Sequence, residues 1–192
     1  MKFIQNTSDI VLALGVAGKH RSPIKDFCID SRKAKKNSIF IGLTGSNEDG
    51  SKYCDDAFSN GAVFAIIKAK KGMSANMLKG NTLSVSSPAK AWAQLAQVAL
   101  TNFTGPVIGI TGSNGKTTTK NILSTGINNS FSTFKNFNNE IGLPLCALML
   151  DSKNEVAVFE MGAAKKGDIH FLSKIIQPKI GIITHIGHSH LL

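Results

Sequence analysis

The sequence predicts an α/β chain: a small N-terminal α/β domain followed by a P-loop domain with a parallel sheet. Three observations predict it. Short apolar runs bounded by Gly, Asn and Pro alternate with helix-length segments, the order that builds parallel sheets with crossover helices. Pro106 to Lys120 reads as a strand, a glycine-containing loop and a helix start. The chain has 192 residues with 42% hydrophobic residues, enough to bury a core in one large or two small domains.

The N-terminal elements follow in order. Residues 7–15 form a helix capped by Ser8 and ended by Gly15. Phe27-Cys-Ile29 is a strand that runs into Asp30-Ser31-Arg32. Ser38 to Leu43 is a second strand, followed by the turn-rich loop Thr44 to Gly50. Tyr53 to Asn60 is a helix with Tyr53, Ala57 and Phe58 inward, and Ala62 to Ile67 is a strand. Residues 68–80 are polar and basic, an exposed excursion, before a last short strand at Asn81 to Val85. Ligand sites of such units sit at strand ends, and Arg32 suits a phosphate or carboxylate. Asp-Ser-Arg is equally the pattern of an ordinary turn with a surface arginine.

Ser87-Pro88 opens a helix to about Phe103, with Trp92, Leu95, Ala96, Ala99 and Phe103 on one face as a core stripe. In the second domain, Val107, Ile108 and Ile110 form a buried strand. Gly112 and Gly115 let the loop wrap an anion, Lys116 adds charge, and Thr117 and Thr118 open a helix with unpaired amides. The usual pattern G-x-x-x-x-G-K-[ST] wants glycine where Ile110 stands. The helix continues to Gly126, and Thr133 to Asn139 is an asparagine-rich loop. Residues 140–150 are apolar, with Pro144 in an early helical turn. Glu155 to Phe159 is a strand that delivers Glu160 beside the phosphate loop, where a carboxylate can hold magnesium or simply face solvent. Asp168 to Ile176 is a helix. Lys179 to Thr184 is a strand ending near His185, His188 and His190, a cluster without zinc-site spacing that suits a metal or phosphate contact or a structural role.

Composition narrows the classes. The net charge of +10 suits an acidic partner. The basic residues are scattered and the aromatics are mostly Phe in apolar runs, which argues against nucleic acid. No apolar run approaches membrane-spanning length, mean hydropathy is +0.04, and the N-terminus lacks a signal-peptide pattern, so a cytoplasmic protein without membrane insertion is expected. Cys28, Cys54 and Cys146 have neither zinc nor disulfide spacing and read as reduced, mostly buried thiols.

Assembled, these residues resemble the Mur ligase family, the ATP-dependent amide-forming enzymes of peptidoglycan precursor synthesis, and within it the MurF branch. Asp30-Ser-Arg32, Phe40 to Gly45 with Asp49-Gly50, and Asp56-Ala57 through Gly61-Ala62 resemble its UDP-binding domain. Thr111-Gly112-Ser113-Asn114-Gly115-Lys116-Thr117-Thr118 resembles its ATP loop. Asn138-Asn139-Glu-Ile-Gly-Leu-Pro144 and Glu160-Met-Gly162 point to the MurF branch.

The resemblance implies ATP and Mg2+ as cofactors. It implies UDP-N-acetylmuramoyl-tripeptide and D-alanyl-D-alanine as substrates, in a monomer. It gives residues 1–85 to the UDP-sugar-peptide domain and 86–192 to part of the central ATP-binding domain, with the C-terminal domain absent. Lys116 would contact the β/γ-phosphates, Thr117 and Glu160 would hold magnesium, and His190 would serve a second metal. Asn138 and Asn139 would lie near the nucleotide. Ser31, Arg32, Thr44, Gly45 and Asp49 would contact the UDP-sugar. ATP would phosphorylate the tripeptide carboxylate, and the dipeptide amine would attack the acyl phosphate.

The chain departs from the pattern at His185, where asparagine is common, and at Ser51, where histidine is common. It also stops before the lysine that family members modify with carbon dioxide. A ligase fragment with an open sheet edge and little activity of its own is therefore expected. Two other classes stay open: a non-catalytic nucleotide-binding module, and a basic nucleic-acid-binding NTPase.

Overall fold

A computed structural model describes residues 3–45, 48–72 and 74–187. The chain divides into two compact units, residues 4–95 and residues 96–192 joined by 1–3. The division falls inside the long helix α3, Pro88–Thr101.

In the first unit, helix α1 (Thr7–Ala13) precedes strands β1 (Asp26–Cys28) and β2 (Ser38–Ile41). The cap of α1 is Asn6 rather than Ser8. Asp9 reaches back so that its Oδ2 accepts from the amides of Gln5 and Asn6, each at 2.9 Å. Helix α2 (Cys54–Ser59) leads to β3 (Ala62–Lys68), β4 (Met77–Lys79) and β5 (Thr82–Val85). The sheet order is β1-β2-β3-β5-β4, parallel except for the antiparallel β4–β5 pair. Every residue of β2 is buried, as are Phe64, Ala65 and Ile66 of β3, the signature of central strands covered on both faces.

β4 corrects the expectation that residues 68–80 form only an exposed excursion. Lys79 pairs with Thr82 across Gly80-Asn81, and Gly80 has φ +57°. A two-residue Gly-Asn connection is a hairpin signal, but Met77-Leu78-Lys79 is too short and too exposed to announce a strand.

In the second unit, α3 leads to β6 (Val107–Thr111), α4 (Lys116–Gly126), β7 (Ser130–Ser132), α5 (Gly142–Met149), β8 (Val156–Glu160), α6 (Asp168–Ile176) and β9 (Ile180–Ile183). The order β7-β8-β6-β9 is wholly parallel. β7 was not legible, because Ser-Phe-Ser has no apolar run. It is a strand because Ser130, Phe131 and Ser132 pair with Val156, Ala157 and Val158 of β8. Pro144 is the third residue of α5, where its missing amide costs nothing. Ile110 of central β6 stands opposite Glu160 on one side and Ile182 on the other, so three strand ends lie level. Among the described residues β9 pairs on one edge only, and Ile180 and Ile183 are exposed.

Trp92 is fully buried, with its ring centroid 5.7 Å from that of Phe27. Trp92→Ala removes the largest buried side chain and leaves a cavity. The expected loss is about 3–5 kcal/mol, read from urea denaturation. Burial raises the pKa of all three thiols, that of Cys146 to about 11. With a thiol reagent at neutral pH, half-buried Cys54 reacts first, and Cys28 and Cys146 react only on unfolding.

Candidate functional site

The loop between β6 and α4 has a shape that two glycines make possible. Gly115, at φ +80°, is the N-cap of α4 in a left-handed conformation. Gly112, at φ +141°, lies so close to the chain after β9 that a Cβ would strike Thr184 Oγ1 and come within 2.9 and 3.0 Å of the His185 backbone O and N. No side chain caps α4, so its first amides face outward, ready for an anion. Lys116 folds back onto the loop, its Nζ donating to the Gly112 carbonyl at 2.6 Å and the Ser113 carbonyl at 3.4 Å.

A clamp that the sequence did not announce fixes this loop. The Thr184 hydroxyl donates to the carbonyl of Asn114 and, at 3.2 Å, to that of Thr111. The Ser113 amide donates to the His185 carbonyl at 2.7 Å, and Ser113 Oγ accepts from the Gly187 amide at 3.0 Å.

Glu160 lies at the end of β8, only 4% exposed, so it is not a solvent-facing strand end. One carboxylate oxygen accepts from the Thr117 hydroxyl at 2.9 Å, and the other from Asn138 Nδ2 at 2.9 Å. Its amide donates to Thr133 Oγ1 at 2.7 Å. Lys120 Nζ stands 4.0 Å from the oxygen that Thr117 holds, and both side chains are almost fully buried. Thr133 and Lys120 were missed in the sequence. Lys120 follows Thr117 by three residues on α4, so the two share a face, and that spacing was the available signal.

Asn138 and Asn139 do different work. The Asn138 carbonyl accepts from the Gly162 amide at 2.7 Å while its side chain holds Glu160. Asn139 Oδ1 accepts from the amides of Ile141 and Gly142, at 3.1 and 2.8 Å, and so fixes the start of α5. Both line a cleft of about 670 Å3 bordered by Lys116 and the 162–168 loop. A smaller cleft of about 260 Å3, with Thr111, Gly112, Ser113 and His185 in its wall, also meets Lys116. Thr118 is exposed on the first turn of α4. His188 and His190 lie outside the described residues.

In the first unit, parallel pairing sets the loops after β1 and β2 at the same end of the sheet. Asp30 caps a short 3-10 turn and grips Arg32 with two hydrogen bonds of 2.9 Å. The Arg32 side chain is otherwise open to solvent, whereas Ser31 is buried. The Arg32 hydrogen bond holds the Asp30 carboxyl below the usual range. Thr44 pairs with Asp49 in an isolated antiparallel bridge, and the Gly45 amide donates to the Glu48 carbonyl at 2.8 Å. Asp49 is held low by the backbone amide of Ser51. Glu48 accepts from both Lys52 Nζ and the Tyr53 hydroxyl at 2.9 Å, a pair the sequence did not mark.

The uncapped helix start, the Lys116 ammonium folded onto the loop and the Thr117–Glu160 contact form a loop of phosphate-loop type at the strand ends of a parallel sheet. The model of the Mur ligase middle domain matches residues 110–191, the stretch that contains this site. The chain is 37% identical over 165 residues to the UDP-N-acetylmuramoyl-tripeptide–D-alanyl-D-alanine ligase of Bacillus subtilis, which aligns 84% of this chain and 36% of that one. It superposes on a solved ligase from Acinetobacter baumannii, named for UDP-N-acetylmuramoylalanyl-D-glutamyl-2,6-diaminopimelate and D-alanyl-D-alanine, with TM-score 0.86 and 29% identity. That match covers 97% of this chain and 42% of the other. A MurF ligase from Thermotoga maritima, solved with ADP, matches with TM-score 0.76 and 35% identity over 87% of this chain and 39% of that one.

The chain belongs to the Mur ligase family. Within that family its relatives are MurF ligases, and it spans about two fifths of their length.

Lys120→Met leaves the Glu160 carboxylate buried without its cation. Breaking a buried pair from one side costs about 3–5 kcal/mol, and the loss is expected in urea denaturation of the second unit.

Proposed function

We propose that this chain carries the nucleotide and UDP-sugar sites of an ATP-dependent ligase. In this reading, the enzyme joins D-alanyl-D-alanine to a UDP-N-acetylmuramoyl-tripeptide in cell-wall precursor synthesis, in the cytoplasm and as a monomer. The observation that carries it is the phosphate loop with Lys116 and Thr117 set against the buried Glu160. Residues 96–192 would take ATP, and the Arg32 and Thr44–Asp49 loops of the first unit would take the UDP-sugar. No helix among the described residues is long and apolar enough to cross a membrane. The Acinetobacter relative names a tripeptide of alanine, D-glutamate and diaminopimelate, and we assign this chain a peptide of the same acidic class.

The residues fit a magnesium nucleotide. A buried carboxylate already touching a hydroxyl is a hard oxygen donor set, suited to magnesium. Thr117 and Glu160 would hold the ion, with Asn138 fixing the carboxylate, and His190 is the candidate for a second metal. When bound, magnesium supplies charge to the β- and γ-phosphate oxygens. The α4 amides bind the phosphates, and Lys116 exchanges the Gly112 carbonyl for phosphate oxygens. The tripeptide carboxylate takes the γ-phosphoryl group and ADP leaves. The dipeptide amine then attacks the acyl carbon, forms the amide and expels phosphate.

A second reading is binding of nucleotide and UDP-sugar without turnover. Phosphate release from Mg-ATP, UDP-muramoyl-tripeptide and D-alanyl-D-alanine decides between them. The ligase reading expects release that needs both substrates and falls on the order of 10²–10³-fold in Lys116→Ala. Release without the substrates overturns it, and nucleotide binding with no release supports the second reading.

A further inference from the structure

The cleft of about 670 Å3 has a wall that the nucleotide chemistry does not use. After β8 the chain runs through Gly162-Ala163-Ala164-Lys165-Lys166-Gly167 into α6. Lys116, Lys165 and Lys166 all line the cleft, while its acidic lining residues are Glu140 and Asp168. Asp168 is already committed, because its Oδ2 accepts from the amides of Ala164 and Lys165, each at 2.9 Å. Those two bonds hold the carboxyl below its usual range and brace the loop that carries the lysines. Both lysines are exposed, and neither has an ion pair among the described residues. Phe171, 42% exposed, and Leu172 give the cleft an apolar side. A braced pair of cations over an apolar surface suits a short acidic peptide better than a nucleotide base or a second metal.

We propose that Lys165 and Lys166 recognise the non-reacting carboxylates of the acidic peptide. This assignment rests on the function proposed above. The chemistry matches in number. A glutamyl residue joined to its neighbour through one carboxyl keeps the other. A diaminopimelyl residue keeps one carboxylate when its second is the reacting group. Two carboxylates remain, and two ammonium groups stand on one braced loop beside Lys116.

The test is a set of binding titrations on the 192-residue chain with UDP-N-acetylmuramate, its diaminopimelate-containing tripeptide derivative, and ADP. The wild-type chain is expected to bind the tripeptide ligand about tenfold more tightly than UDP-N-acetylmuramate, the gain of two solvent-facing ion pairs. K165M/K166M loses that gain, while K165R/K166R keeps it. The gain also shrinks with added salt in the wild type, as exposed charge pairs require. Three results overturn the assignment: no gain in the wild type, a gain that survives in K165M/K166M, or ADP affinity lost in parallel, which would give the pair to the nucleotide. If neither UDP ligand binds the wild type while ADP does, the proposed function fails as well, and the two failures remain distinguishable.

Discussion

Glu160 is a carboxylate taken out of water at the end of a central strand, and the geometry around the site follows from what that burial requires. An unpaired buried charge is costly, so each of its oxygens must find a donor. Thr117 and Asn138 supply them, and Lys120 supplies the countercharge. These partners come from α4 and from the loop before α5, so the one carboxylate ties two separate pieces of chain to the end of β8. The phosphate loop is bonded to the same construction, because Thr117 and Lys116 are consecutive residues of one helix.

The sheet makes this possible. In a parallel sheet the strand ends that carry loops lie on one side. Pairing Ile110 with both Glu160 and Ile182 sets the ends of β6, β8 and β9 level. The phosphate loop is thus flanked by a carboxylate on one side and by the Thr184–Gly187 segment on the other. That segment acts through hydrogen bonds to loop carbonyls and amides rather than through chemistry of its own. It also explains Gly112, whose place beside Thr184 leaves no room for a side chain.

The first unit solves a different problem with the same architecture. Its strand-end loops are held by short-range carboxylate bonds: Asp30 to Arg32, Asp49 to Ser51, and Glu48 to Lys52 and Tyr53. Such local bonds set loop shape at an exposed surface, where long-range ion pairs contribute little. Polar side chains thereby stand at one end of the sheet without the cost of burial that Glu160 carries.

Local pattern alone determined much of this protein. Short apolar runs marked β2, β3, β6 and β8, since strands covered on both faces need continuous hydrophobic side chains. The Gly-Lys-Thr stretch located the phosphate loop, because the backbone freedom and the helix start are both local properties. What pairing and burial decide was not legible. β7 is a strand only because β8 lies beside it, and β4 only because β5 does. Asn139 binds the amides of Ile141 and Gly142 at the start of α5, and Lys120 stands against Glu160; neither fact shows in a residue type. The order β7-β8-β6-β9 is likewise a property of the folded sheet. Tertiary structure decides these matters because they depend on which side chains meet across long stretches of chain and on the energy of leaving a polar group buried without a partner.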